Sequence, residues 1–300
     1  MILKPGCPKL SRNIEDYPDG IIIPIDKPYR WTSADVIRKI KYAAIRYFGK
    51  KNLKVGHAGT LDPLATGVLL VCIGKATKLA EELQSHDKEY IAGITLGATT
   101  PSYDLEKEID RFFPYEHITQ EAVNEVLPSF LGEQDQVAPL FSAKSVDGVR
   151  AYELARRLHK EGRTLDEAAQ ELIRTARIRI SGLELMSFDP GRVGADGDED
   201  TPSQADQGCG QEDGTDFSPV TSDPSSRINV TDNSSLRLPR IVVRMECSKG
   251  TYVRAFARDL GEALDSGAHL DSLQRSRSGA FRVEEALSIE EAADCLRTDK

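Results

Sequence analysis

Apolar positions along the chain fall into two periods, and each predicts one kind of element. Alternating or continuous apolar runs predict strands at Ile21–Ile25, Val68–Ile73, Glu89–Leu96, Gln134–Ala138, Ile173–Phe188, Ile241–Cys247 and Arg275–Val283. Helical spacing predicts Ala34–Phe48 behind a Thr32 or Ser33 cap, Lys78–Gln84, Gln120–Leu131 after Thr119, Ala151–Lys160, Tyr252–Leu264, and Ile289–Leu296 after Ser288. The order lacks a regular βαβ rhythm, so an α+β fold with a mostly antiparallel sheet is expected. Residues 189–235 follow neither period. They are rich in Gly, Asp, Ser, Thr, Pro and Gln and nearly free of large apolar side chains. Such a segment buries too little to offset the entropy of ordering, so it is expected to be disordered. It falls between two strand-like runs and reads as a lengthened hairpin connection. Stretching a four-residue turn to 47 residues costs only roughly 2 kcal/mol of loop-closure entropy.

The 300 residues are 39% hydrophobic and 29% charged, which excludes a wholly disordered, collagenous or membrane-spanning chain. The longest apolar run, Gly67 to Gly74, is far too short to cross a bilayer, and MILKPGCPKL has no signal-peptide core. A soluble cytoplasmic protein is expected. Five scattered cysteines and five isolated histidines offer no disulfide framework and no metal ligand set, so no metal is expected. The stretch Ile73–Thr77 imitates the end of a phosphate-binding loop, but Leu69 and Ala76 stand where that motif needs Gly and Ser or Thr.

Charge changes the picture through its placement. The net charge of -9 is carried by residues 189–235 alone, with eleven acids and two bases; the remainder balances at 37 of each. Two basic zones flank the acidic segment: residues 144–179 with nine bases against six acids, and residues 237–282 with nine against five. A polyanion partner and an ordinary solvated surface both fit that enrichment.

Three clusters carry candidate chemistry. Val55–Gly67, VGHAGTLDPLATG, packs three glycines and a proline around Asp62. Gly56, Gly59 and Gly67 allow positive φ or close approach, and Pro63 restricts Asp62. The result is either a rigid mount for a catalytic carboxylate or a turn in which Asp62 accepts local bonds. Ser248–Arg254 follows a strand and opens a helix, so Arg254 can hold a carboxylate or a phosphate, or simply be solvated. Asp87–Ala92 puts Lys88 and Tyr90 on one strand face, suited to stacking a base beside a cation, although most strand tyrosines are simply half-buried packing.

Together these residues resemble the bacterial TruB-type tRNA pseudouridine-55 synthases. The resemblance rests on GHAGTLDPLATG at 56–67 with GKATK after it, KEYIAGITLGATTPSYD at 88–104, PLFSAKSVDGVRAYELAR at 139–156, CSKGTYVRAFARDLG at 247–261 and GAHLDSLQRSRSGAF at 267–281. It implies a curved mixed, mostly antiparallel sheet with flanking helices and a catalytic cleft across it. It also implies isomerisation of the T-loop uridine of tRNA to pseudouridine on a flipped base, without a cofactor. By position, Asp62 corresponds to the catalytic aspartate, Tyr90 to the tyrosine stacked on the target base, and Arg254 to the arginine paired with the aspartate. His57 corresponds to a histidine that contacts the flipped RNA loop, Lys27 to a motif lysine near the site, and Leu273 to an apolar pocket residue. Lys88 and Thr251 join them as substrate-binding candidates. An arginine beside Asp62 would favour its ionised form.

The expected layout is an N-terminal tail at 1–19, one catalytic domain at 20–188 and 236–285, the acidic insertion at 189–235, and a short helix or tail at 286–300 with no full PUA domain. The region 139–177 resembles the family's thumb segment. The expected partner is tRNA, through its T arm, with the enzyme acting as a monomer. The rival reading from another class is an RNA-binding, tRNA-folding chaperone that uses the same cleft.

Overall fold

A computed structural model describes residues 1–6, 9–139, 145–146, 149–150, 175–191 and 224–297. The strands are β1 (Ile21–Lys27), β2 (Val55–Ala58), β3 (Ala65–Ile73), β4 (Lys88–Leu96), β5 (Ala98–Thr99), β6 (Arg111–Phe112), β7 (Gly132–Val137), β8 (Ser145–Val146), β9 (Val149–Arg150), β10 (Thr175–Asp189), β11 (Arg240–Cys247), β12 (Ala268–Ser278) and β13 (Phe281–Arg282). The helices are α1 (Ser33–Phe48), α2 (Ala80–Ser85), α3 (Gln120–Val126), α4 (Val253–Ala263) and α5 (Ile289–Cys295). The main sheet runs β1-β3-β12-β4-β11-β10-β7, with β2 on β3 and β13 on β12. Every pairing in it is antiparallel except β3 with β12, which gives the expected mixed sheet.

The continuous apolar run of β3 reflects burial on both faces. Leu69, Val71 and Ile73 join Ile21, Ile23 and Ile25 in the main core with α1, whereas Val68, Leu70 and Cys72 join Ile22 and Leu83 in a smaller core beside α2. Helix α1 opens on a capping box between Thr32 and Asp35 and closes on Gly49 in the left-handed region. Helix α5 has the same box between Ser288 and Glu291 and buries Ile289 and Ala292.

Three expected elements differ in the structure. The helix expected over Lys78–Gln84 is a 3-10 turn through Leu79 and α-helical only over Ala80–Ser85. The helix expected over Gln120–Leu131 is α-helical only to Val126 and continues as a 3-10 turn over Leu127–Phe130, because Pro128 has no N–H to extend the ladder. The segment expected as one strand over Arg275–Val283 is two strands split at Gly279. Strand β12 also starts earlier, at Ala268, where His269, Asp271 and Ser272 mask an inner strand bulged at Leu270/Ser272.

β10 pairs with β11 from Ile180↔Cys247 to Asp189↔Arg240, so the acidic segment does connect two hairpin arms. Most of that segment, 192–223, lies outside the described residues, as do the helix expected at Ala151–Lys160 and most of the 139–177 region. The described end of the insertion corrects the expectation of disorder up to 235. Residues 224–236 hold 3-10 turns at Pro224–Arg227 and Ser234–Leu236. Arg30 Nη2 donates to Ile228 O, and Thr231 N donates to Leu105 O at 2.9 Å. Backbone pairing holds this stretch where side-chain burial could not.

Candidate active site

The loop between β2 and β3 has every carbonyl from Gly59 to Pro63 occupied. Arg275 Nη2 donates to Gly59 O at 3.2 Å and its Nη1 to Thr60 O at 3.5 Å. Ser33 Oγ donates to Leu61 O at 3.1 Å and accepts from Leu61 N at 2.9 Å. Ala65 N donates to Asp62 O at 3.1 Å, and Lys27 Nζ to Pro63 O at 3.2 Å. With its backbone so committed, the loop has one projecting acid, the Asp62 side chain, 40% exposed.

Gly67 is required where β3 meets β12: its φ is +96° and an added Cβ would stand 2.2 Å from Arg275 O. Gly59 also has positive φ, at +92°. Gly56 differs from these two: it lies in β2 without positive φ and with open space where a Cβ would go.

Arg254 enters from the first turn of α4, only 5% exposed, and bridges two acids. Its Nε lies 3.0 Å from Asp62 Oδ2 and its Nη1 lies 3.3 Å from Asp104 Oδ2. Burial works against the guanidinium charge, but Asp62, Asp104 and Glu106 outweigh it and hold its pKa above the ordinary value. Asp104 is itself fixed by Ser102 Oγ at 2.6 Å and Glu106 N at 3.0 Å. Burial, reinforced by the Asp104 charge, pushes Glu106 up to about 7. The start of α4 is held by a reciprocal pair, with Tyr252 N donating to Gln136 Oε1 at 2.8 Å and Gln136 Nε2 to Tyr252 O at 3.2 Å.

The Asp62–Arg254 pair stands at the wall of a cleft of about 380 Å³, a size suited to a small ligand or a single base. Asp62, Tyr90, Arg254, Lys88, Thr251 and Leu273 all line it. Tyr90, on β4, is 9% exposed, and burial raises its hydroxyl pKa. Lys88 shares that strand face as expected, but its ammonium turns away from a stacking position to donate to Gln84 O and His86 O at the end of α2. Burial, with Arg275 nearby, lowers it to about 8.

The structure does not bring Lys27 or His57 to the cleft wall. Lys27 is fully buried beneath the loop, donating also to Pro28 O and Trp31 O, and burial lowers it to about 7. His57 lies on β2 opposite Val71, with burial and then Arg275 lowering its pKa.

Sequence reading missed Arg275, Asp104 and Ser33. Arg275 is 1% exposed and also donates to Val68 O at 2.7 Å, yet along the chain it is one base in a basic zone. Asp104 closes the quoted motif TTPSYD, and its neighbour Tyr103 sits at φ +56°, but no spacing rule connects it to Arg254. Among the described residues no cluster of His, Cys, Asp or Glu could hold a metal ion, and no helix is long and apolar enough to cross a membrane.

Residues 46–194 match the family described as TruB family pseudouridylate synthase (N terminal domain). The chain is 44% identical to the tRNA pseudouridine synthase B of Phocaeicola vulgatus, over 94% of this chain and 95% of that protein. It is 35% identical to that of Deinococcus radiodurans, over 90% of this chain and 77% of the relative. Among solved structures, one from a Cbf5-Nop10-Gar1 complex matches with a TM-score of 0.55 at 23% identity, covering 94% of this chain and 56% of that one, a likeness of fold.

Proposed function

Because the chain belongs to the TruB family of pseudouridylate synthases, we propose that its cleft isomerises the T-loop uridine of tRNA, position 55, to pseudouridine. The observation that carries the reading is the buried arginine paired at 3.0 Å with one projecting carboxylate, at the wall of a cleft also lined by Tyr90 and Leu273.

The reaction breaks the bond from the ribose anomeric carbon to N1 and forms one to C5; C5 gives up its proton and N1 takes one up, so the product is an isomer of the substrate. It is an internal exchange with no net redox change, so it needs a nucleophile or base and a closed pocket. Asp62 can supply either, by attack on the anomeric carbon, by attack on the pyrimidine ring, or by removing a sugar proton on the way to a glycal; each begins from an ionised carboxylate. Arg254 fixes that carboxylate and balances its charge once a bound base excludes water.

The target base is stacked inside a folded arm and must be extruded, at a cost of a few kcal/mol. Stacking on Tyr90 recovers about 1–3 kcal/mol of it, and Leu273 supplies an apolar contact from β12. Lys88 and Thr251 belong to the binding wall. His57, two residues before Gly59 on β2, meets RNA outside the base pocket, and Lys27 acts from below by holding the loop. The enzyme is taken to work as a monomer in the cytoplasm on the T arm, within one catalytic domain interrupted by the acidic insertion.

The test is carbodiimide mapping of pseudouridine in tRNA incubated with the purified protein and with Asp62→Asn. Wild type should convert one T-loop uridine. The amide should abolish conversion while RNA affinity stays within a few-fold, since it keeps the shape and loses the charge. Product at near wild-type rate from Asp62→Asn would remove Asp62 from the chemistry, and tight tRNA binding without product from wild type would favour the chaperone reading.

A further inference from the structure

The stretch that carries the catalytic loop also carries the densest uncompensated positive charge in the chain. Between Val36 and Ala80 there are nine bases, Arg38, Lys39, Lys41, Arg46, Lys50, Lys51, Lys54, Lys75 and Lys78, and a single acid, Asp62. Three of the nine are paired at the surface: Arg38 with Asp35, Lys39 with Glu290 and Lys50 with Glu15. Among the described residues no carboxylate lies within ion-pair distance of Lys41, Lys51, Lys54, Lys75 or Lys78, and all five are exposed. Folding brings part of this charge together. Lys41 on the second half of α1, Lys51 and Lys54 on the connection to β2, with Asn52, Gly56 and Thr77, line an open groove of about 510 Å³ that contains no acidic residue.

The groove and the cleft share one hairpin, with Gly56 lining the first and Gly59 to Asp62 lining the second. Asp62 lies six positions after Gly56, so at about 3.3 Å per residue the two are no more than about 20 Å apart along the chain. His57 lies between them. A tRNA with its T loop in the cleft therefore brings the parts of the molecule that fold against that loop within reach of the groove.

We propose that this groove binds the phosphate backbone of tRNA outside the T arm, extending the enzyme's grip from the extruded base to the body of the substrate. The proposal rests on the tRNA-modifying function stated above. Lysines act as point charges on phosphates without reading sequence, and release of condensed counterions makes such contacts salt-dependent. The lining, with three lysines and no acid, matches a polyanion.

The experiment compares wild type with the triple variant Lys41→Gln, Lys51→Gln, Lys54→Gln on two RNAs, a full-length tRNA transcript and a minimal T-arm hairpin. Fluorescence anisotropy is measured from low to high salt, with single-turnover pseudouridine formation alongside. For full-length tRNA the variant should bind about tenfold more weakly at low salt, with a log–log salt slope shallower by about two to three. For the hairpin, affinity and rate should not change. The Lys→Arg triple variant should behave as wild type, and Lys54→Gln alone carries the test if the triple variant loses its circular dichroism signal. An unchanged slope on full-length tRNA overturns the proposal, as does equal weakening on the hairpin, which would place the contact within the arm. Failure of wild type to modify either RNA would instead overturn the function on which the proposal rests.

Discussion

Arg254 faces two carboxylates, and its planar fork is what makes this possible: Nε serves Asp62 while Nη1 serves Asp104. Arg254→Lys keeps one positive charge and loses the fork, so single-turnover pseudouridine formation should fall by at least a hundredfold with tRNA affinity little changed. A rate within a few-fold of wild type would show that charge alone suffices. Glu106, beside this pair, is raised from 4.5 to about 7. Its folded form therefore binds more protons than the unfolded chain between those values, so its contribution to stability falls as pH rises from 4.5 through 7. Glu106→Gln removes that penalty. The variant should be more stable than wild type at pH 8, by about 3 kcal/mol at most, and the two should converge by pH 4. Parallel melting curves across that range would show that Glu106 is not held protonated. At this scale the sequence made Asp62, Tyr90 and Arg254 legible, because short motifs concentrate them. It hid Arg275, whose work is done on carbonyls more than 200 residues away along the chain.

Among elements, the β2–β3 connection is held by its surroundings more than by its own residues. Ser33, the first residue of α1, is 3% exposed and both donates to and accepts from Leu61. Ser33→Ala leaves Leu61 N and O buried without that partner, which costs about 1–3 kcal/mol. Calorimetry should show a lower Tm, and kcat should fall because the Asp62 mount loosens, while the helix keeps its cap through Thr32. An unaltered Tm would mean that the loop holds itself. Glycine and proline spacing announced a shaped loop here, and Gly59 and Gly67 bear that out in their φ values. The same spacing could not say that Lys27 would lie under the loop rather than at the site, because burial of a lysine depends on which carbonyls surround it.

For the whole molecule the open question is the acidic insertion. Its described end contacts the body: Arg227 lies 4.0 Å from Asp35, Arg30 reaches Ile228 O and Thr231 pairs with Leu105. Two deletions therefore separate. Replacing 193–222 by a short Gly/Asn linker keeps these contacts and shortens the loop, so Tm should hold or rise by the equivalent of about 1 kcal/mol, with tRNA affinity nearly unchanged at physiological salt. Replacing 190–235 removes the contacts as well and should lower Tm below that of the shorter deletion. If both variants melt alike, the 224–236 stretch contributes nothing to stability. If the shorter deletion tightens tRNA binding more than about fivefold at low salt, the insertion competes with RNA for the basic surface.

What the sequence determined by itself is local. Apolar periods place β1, β4, β11, α1 and α4, because alternation and helical spacing act within a few residues. Turn chemistry shapes the Asp62 loop, and the acidic composition sets 192–223 apart from the rest. Tertiary structure alone decided what meets across the sheet. It drew β12 between β3 and β4, which set Leu273 and Arg275 beside the loop, and it carried Asp104 to the far side of Arg254. It also buried Lys27, turned Lys88 toward α2 and gathered Lys41, Lys51 and Lys54 around one groove. These outcomes depend on distances between residues tens to hundreds apart in the chain. A pattern read along the sequence carries no term for such distances, whereas assembling the sheet fixes all of them at once.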